Sequence, residues 1–219
     1  MITLGLDTSE ALGGVALLGP GGLCSERSLD EPVRYAERLL SVVRELLDES
    51  RRAVGEIGTV SVNLGPGSFT GLRIGLATAK GICQALRIPL SGVDGSFVYR
   101  SLAASASRVC VVIPSRRDLV YVRWFVGVRP RGPTVVLRER DLDEKLRQEP
   151  RELTLVGSGA AAAYERMSQH GGVRLGQPEA LRPSAATVGR LGMPGAGDGV
   201  YQLEPIYVES MPVETSRER

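Results

Sequence analysis

Two short segments carry residue types that could do chemistry. Gly65-Pro66-Gly67-Ser68-Phe69-Thr70-Gly71 lies between an apolar run and a helical pattern, where backbone N–H groups at a helix start can hold an anion. It fails as a P-loop, because Thr70 stands five places after Gly65 and no Gly-Lys-Ser/Thr follows. It also misses the dinucleotide fingerprint, since Thr70 takes the third glycine's place. The plain alternative is a tight turn with Ser68 or Thr70 capping a packed helix. The second segment, Asp7-Thr8-Ser9, closes the first apolar run. Asp7 could hold a magnesium-bound water under a nucleotide phosphate, with two hydroxyls beside it. The same trio could equally be an Asx or hydroxyl turn closing a hairpin.

Supporting groups are sparse. A phosphotransferase needs a second carboxylate or a base, and only Asp94 and Asp118 stand at comparable strand or turn positions. Gly157-Ser158-Gly159 is a single Gly-x-Gly after a strand, more often a turn than an adenosine site. His170 has no partner acid or nucleophile near it in sequence, so no triad is indicated. Cys24, Cys83 and Cys110 form no CxxC pair, which with one histidine excludes a zinc site by sequence. Arg51-Arg52, Arg129/Arg131 and Arg138/Arg140 read as solvated faces.

The elements that must position these residues follow from periodicity. The chain of 219 residues suits one large domain or two small ones. Its 27 basic against 25 acidic residues leave no field for binding nucleic acid by bulk charge. No stretch approaches the ~18 apolar residues of a membrane span, and the start lacks a signal peptide's features, so a cytoplasmic location is expected. Residues 2–7, 14–18 and 23–29 predict an antiparallel meander. Tyr35 to Arg51 predicts a helix, 60–64 a strand, and Phe69 to Leu86 a second helix stopped before Pro89. The second half repeats the pattern with strands at 109–113 and 119–126, another at 153–156, a helix to about 169 and a short helix at 184–191. The expected division is 1–106, 107–211 and a frayed tail at 212–219.

The second helix is apolar or small nearly all round, with Arg73, Lys80 and Gln84 clustered on one side. Gly71, Gly75 and Ala79 recur every four residues and leave a ridge without bulk. A glycine inside a helix costs on the order of 1 kcal/mol against alanine, so this ridge predicts close approach of another backbone.

The block Gly65-Pro66-Gly67-Ser68-Phe69-Thr70-Gly71-Leu72-Arg73-Ile74-Gly75 with Ala77-Thr78-Ala79-Lys80-Gly81 resembles the signature of the TsaB (YeaZ) family. Leu6-Asp7-Thr8-Ser9, Glu37-Arg38-Leu39-Leu40 and Ile88-Pro89-Leu90-Ser91-Gly92-Val93 agree with it. The resemblance is dense over residues 1–100 and thin after them. It implies an α/β protein of two related RNase H-like domains in the actin-like ATPase (ASKHA) arrangement, with mixed sheets flanked by helices. It also implies an accessory subunit, without catalysis of its own, in forming N6-threonylcarbamoyladenosine at position 37 of tRNAs reading ANN codons. The implied partners are the catalytic TsaD in a heterodimer, TsaE in a ternary complex, and a second copy when TsaD is absent. No metal or cofactor of its own is implied; ATP or ADP and magnesium belong to the complex, tRNA is met only through it, and no membrane is involved.

The resemblance puts the partner interface on the two helices, at Tyr35, Leu39, Leu40, Val43, Leu47, Leu72, Gly75, Leu76 and Ala79. A bulky residue at Gly75 is then expected to abolish pairing and leave the monomer folded. Asp7, Thr8 and Ser9 become a vestigial nucleotide site. Three positions depart from the family: Tyr35 replaces a histidine, Pro114-Ser115-Arg116 replaces Asp-Ala-Arg, and Tyr207-Val208-Glu209 replaces Tyr-Leu-Arg. The rival readings are an independent ATPase or small-molecule kinase of the same fold, and a peptidase, which lacks a nucleophile–base pair.

Overall fold

The structure, a computed structural model, describes residues 1–30, 35–149, 152–167, 169, 171–192 and 202–208. Strands β1 (Ile2–Asp7), β2 (Gly13–Gly19) and β3 (Gly22–Leu29) form the antiparallel meander. Helix α1 (Tyr35–Glu49), strand β4 (Ile57–Asn63), helix α2 (Phe69–Leu86) and strand β5 (Leu90–Val93) follow. β4 lies parallel to β1, and β5 to β4, giving the order β3-β2-β1-β4-β5. Helical crossovers are what parallel neighbours require.

The second half builds the same sheet again. Strands β6 (Arg108–Pro114) and β7 (Leu119–Val126) are antiparallel, and β8 (Arg129–Pro130) with β9 (Val135–Arg138) runs along the outer edge of β7. After helix α4 (Glu139–Gln148) come β10 (Leu153–Val156), helix α5 (Ala160–Met167) and β11 (Val173–Leu175), with β10 parallel to β6 and β11 to β10. The path β9-β7-β6-β10-β11 reproduces β3-β2-β1-β4-β5 strand for strand. The chain is thus α/β, two mixed sheets of one topology flanked by helices.

Strand alternation distributes the core. Leu4, Leu6, Val15, Leu17, Val60 and Val62 face α1 and α2 in the first core. The opposite face carries Gly5, Ala16 and Leu18, and against it lies α6 (Ala185–Leu191). Approach there is close enough that a Cβ on Gly5 would overlap the Ala185 carbonyl. Ser184 caps α6 by accepting from Thr187 N at 3.1 Å, and Glu26 of β3 accepts from Ala186 N at 2.9 Å. Helix α3 (Gly95–Leu102) lies between the two sheets. Its Val98 packs with Val93 and Val188, and its Tyr99 with Val109, Val111 and Phe125. The outer face of the second sheet is covered by α4 and α5 through Leu142, Leu146, Ala160 and Met167.

One expectation changes here. The division at 107–211 assigned the whole C-terminal portion to the second half, but α6 completes the first sheet. Residues 202–208 also return to it: Leu203 enters the first core, and Ile206 N donates to Leu64 O at 2.7 Å. The physical reason is that Gly5 of β1 and Gly14 and Ala16 of β2 leave the middle of that face without bulk, a surface too flat to bury itself. The expected tail at 212–219, His170 and Glu209 lie outside the described residues.

Candidate functional site

The end of β1 meets the glycine-rich loop through one amide side chain. The Asp7 carboxylate accepts from Ser9 N at 3.0 Å, Ser9 Oγ at 2.6 Å and Asn63 Nδ2 at 2.9 Å. Burial pushes the Asp7 pKa up, and the bonds from Ser9 and Asn63 pull against it. Asn63, at the end of the neighbouring strand β4, also donates to Ser9 Oγ at 3.1 Å, and its Oδ1 accepts from Gly65 N at 2.8 Å. The loop closes where Ser68 N donates to Ser9 O at 2.6 Å. Ser68 Oγ then caps α2 by accepting from Gly71 N at 3.2 Å. Asp7, Thr8 and Ser9 are brought together as expected, but inside the protein and bonded to their neighbours.

The small ridge of α2 receives a backbone of its own chain. Thr8 Oγ1 donates to Gly71 O at 2.8 Å. A Cβ on Gly71 would overlap the Thr8 carbonyl, and one on Gly75 would overlap Thr8 Oγ1. Gly67 is likewise pressed on Ser9 O. The interface expected on this ridge is therefore corrected: Gly75 and Ala79 are used up in seating β1 and the first core.

The same holds for most of the other interface residues. Tyr35, Leu39 and Leu72 are buried, and the Tyr35 hydroxyl donates toward the carbonyls of Glu10 and Ala11, both at 2.9 Å. Burial pushes the Tyr35 pKa up to about 12. Val43 and Leu47 reach the surface only in a groove of about 420 Å³ shared with Leu40, Val54, Ile57 and Ile82. Leu76 is buried at the floor of a second hollow beside Ala77 and Tyr207. Leu40, 59% exposed, alone of the nine stands free on the helix surface. At the start of α2, the Phe69 ring meets that of Tyr207 at a tilt, with centroids 5.4 Å apart, and the Arg73 guanidinium sits 3.7 Å from the Phe69 ring centroid.

A cleft of about 800 Å³ separates the halves, lined by Glu10, Ser68 and Phe69 on one side and Arg116, Ser158 and Arg182 on the other. Glu10 is the acid the sequence reading missed, although it directly follows the Asp-Thr-Ser trio. Its carboxylate accepts from the Tyr99 hydroxyl at 2.5 Å and from Ser158 Oγ. Desolvation raises its pKa to about 7. Gly157-Ser158-Gly159 proves a tight turn against β6: Gly157 has φ +98°, and Gly159 N donates to Val112 O at 3.0 Å.

The two supporting carboxylates serve elsewhere. Asp94 caps α3 by accepting from Ser96 N at 2.8 Å and pairs with Arg123 of β7 at 2.5 Å. Asp118 is an exposed turn residue whose carbonyl accepts from Glu139 N at 2.8 Å. Each of the three arginine doublets carries a surface ion pair: Arg52 with Glu56 at 3.0 Å, Arg131 with Glu149 at 3.1 Å and Arg140 with Asp141 at 3.4 Å. Among the described residues no three His, Cys, Asp or Glu side chains gather to hold a metal, and no helix is long and apolar enough to cross a membrane.

Comparison with known proteins agrees with this geometry. A family model described as TsaD, tRNA N6-adenosine threonylcarbamoyltransferase, matches residues 33–127. The tRNA threonylcarbamoyladenosine biosynthesis protein TsaB of Escherichia coli K12 is 27% identical over 96% of this chain and 95% of its own. A crystal structure from Pseudomonas aeruginosa, described as similar to peptidase YeaZ, superposes with TM-score 0.76 at 27% identity, covering 95% of this chain and 99% of that one. YeaZ from the same organism superposes with TM-score 0.72 at 27% identity over 94% and 99%. Agreement in sequence and fold runs along nearly the whole chain, with the Gly65–Lys80 block built against the end of β1, and it is to TsaB and YeaZ proteins that the chain is similar over its length.

Proposed function

We propose that this protein serves tRNA threonylcarbamoyladenosine biosynthesis as a non-catalytic scaffold that pairs with TsaD. The modification is N6-threonylcarbamoyladenosine at position 37 of tRNAs reading ANN codons. The observation that carries the scaffold reading is the state of Asp7. Its carboxylate is fully buried and bonded through both oxygens to Ser9 and Asn63, which disfavours a role in holding a magnesium-bound phosphate in the cleft. ATP or ADP and magnesium act at the level of the complex, TsaE joins as a third subunit, and tRNA is met through the assembly. In the absence of TsaD, two copies pair.

The exposed side of α1 and α2 supplies the pairing surface. Leu40 and the apolar groove of Val54, Ile57 and Ile82 take the place of the buried ridge. Burial of such side chains at the centre of an interface, rather than charge, drives association. Size-exclusion chromatography with light scattering, on the chain alone and mixed with TsaD, tests the reading. A homodimer converting to a heterodimer supports it, as does loss of pairing in Leu40→Asp with an unchanged melting temperature. A monomer indifferent to TsaD overturns it. The rival ATPase or kinase has the 800 Å³ cleft in its favour; magnesium-dependent nucleotide turnover lost in Asp7→Asn would establish it.

A further inference from the structure

Charge is unevenly shared between the halves. Residues 1–106 carry 10 basic against 11 acidic side chains, whereas residues 107–182 carry 14 against 9. The near-neutral total thus conceals a second half with a positive excess. Part of that excess stands on the wall of the cleft. Arg116, in the turn after β6, and Arg182, shortly before α6, line it and are exposed. Arg138 of β9 belongs to the same wall. It lies opposite Leu119 in the ladder and two residues after Val136, and both of those line the cleft. None of the three arginines has a carboxylate partner among the described residues.

The opposite wall offers aromatic surface. Phe69 lines the cleft and is 54% exposed, and Tyr207 beside it is 50% exposed. Arg73 adds a guanidinium 3.7 Å from the Phe69 centroid. Glu10 is the one carboxylate among the described residues lining the cleft, and its two oxygens accept from the Tyr99 and Ser158 hydroxyls. Rings left half in water across a slot from unpaired cations suit unstacked bases and their phosphates. A slot of about 800 Å³ has room for splayed nucleotides but not for a duplex. An acidic protein segment would satisfy the guanidinium groups but has no need of the rings, so their combination favours RNA.

We infer that the cleft holds a short single-stranded stretch of RNA, with phosphates on Arg116, Arg138 and Arg182 and a base on Phe69 and Tyr207. The inference rests on the reading that the protein serves tRNA modification. It gives this chain its own contact with unpaired nucleotides once the assembly has met tRNA. Three phosphate contacts on a single strand give log affinity a slope of roughly −2 against log salt. The contact is therefore strongest at low salt, and it adds to what the rest of the assembly holds.

Fluorescence anisotropy of a short fluorescein-labelled RNA of mixed sequence, single-stranded or in a duplex, tests the contact with the full chain over a range of salt. Saturable binding of the single strand is expected at low salt, tighter than that of the duplex. Phe69→Ala is expected to weaken it about tenfold, the order of one lost base stack, with the salt slope unchanged. Arg116→Gln combined with Arg182→Gln is expected to weaken it and to flatten the slope from roughly −2 to roughly −0.7. These side chains are exposed, and circular dichroism checks that each variant is folded. No saturable binding, equal affinity for the duplex, or wild-type affinity in either variant overturns the inference. A poly-glutamate peptide bound as tightly as the RNA also overturns it and makes an acidic protein segment the occupant. Size-exclusion chromatography with TsaD on the same samples separates the two readings. Intact pairing without RNA binding sinks only the cleft contact, whereas RNA binding by a chain indifferent to TsaD sinks the scaffold reading and leaves the contact standing.

Discussion

The Asn63 side-chain amide donates to Asp7 at 2.9 Å while its carbonyl oxygen accepts from Gly65 N at 2.8 Å. One residue thereby satisfies the buried acid of β1 and fixes the first turn of the glycine-rich loop. Asn63→Ala leaves the Asp7 carboxylate short of a donor and the Gly65 N–H without its acceptor. Losing partners of buried polar groups costs about 1–3 kcal/mol. Urea denaturation is expected to show that loss with an unchanged slope; an unchanged midpoint would contradict the arrangement.

Gly75 faces Thr8 within its own chain, so Gly75→Leu is expected to weaken the monomer itself. Overpacking of this kind costs about 1–3 kcal/mol, which for a chain of this size lowers the melting temperature by about 2–4 °C per kcal/mol. Differential scanning calorimetry of the isolated protein checks it. A normal melting temperature with lost TsaD binding would restore Gly75 to the intermolecular surface.

Arg100 is a buried guanidinium that bonds three carbonyls: Gly127 O at 2.6 Å, Ala103 O at 2.8 Å and Ala106 O at 3.1 Å. It stitches the end of α3, the crossing into β6 and the turn after β7. Arg100→Met keeps much of the stem's packing but takes the guanidinium from the Gly127 and Ala106 carbonyls and leaves Ala103 O only its bond from Ala106 N, for an expected loss of about 1–3 kcal/mol. Limited proteolysis is expected to cut first near residues 103–107 in the variant; protection equal to wild type would refute the role.

The raised pKa values predict how stability depends on pH. Glu10 in the folded chain keeps its proton up to about pH 7, whereas unfolded it releases it near 4.5. Asp7, also raised from 3.8 by burial, has the same sign. The folded state binds more protons than the unfolded state in this window, so stability is full at its acid end and declines as pH rises through it. Glu10→Gln is expected to remove part of that decline. At pH 8 it should be more stable than wild type by about 1–3 kcal/mol, allowing for partial exposure at the cleft. Urea titrations of both proteins at pH 5 and 8 measure it, and parallel pH dependences would exclude Glu10 as the source.

Much of the architecture was legible because each half announces itself locally. Leu119–Val126 alternates as a strand, and the Phe69–Leu86 helix starts at a serine cap and stops before Pro89. The duplication was visible as a repeated strand–turn–strand pattern, and the order of the second sheet bears it out. Helix α3 was not legible. It is only eight residues long, so its apolar Val98, Tyr99 and Leu102 mark a single helical repeat, too short to be told from a strand or a loop by periodicity. The glycine ridge predicted a close backbone approach, and Thr8 supplies it; sequence could not tell a neighbour in the same chain from one in another. Glu10 stayed hidden because its partners lie 89 and 148 residues away.

The return of α6 to the first sheet governs the order in which a growing chain can finish folding. The meander, α1, α2 and β5 are complete by Val93, but the face of Gly5, Ala16 and Leu18 waits for Ala185 and Ala186. Nearly the whole protein must therefore leave the ribosome before its first sheet is sealed. A nascent fragment ending after β5 would display that shallow strip of backbone to solvent and to neighbouring chains, and the second half would be made and folded in the interval.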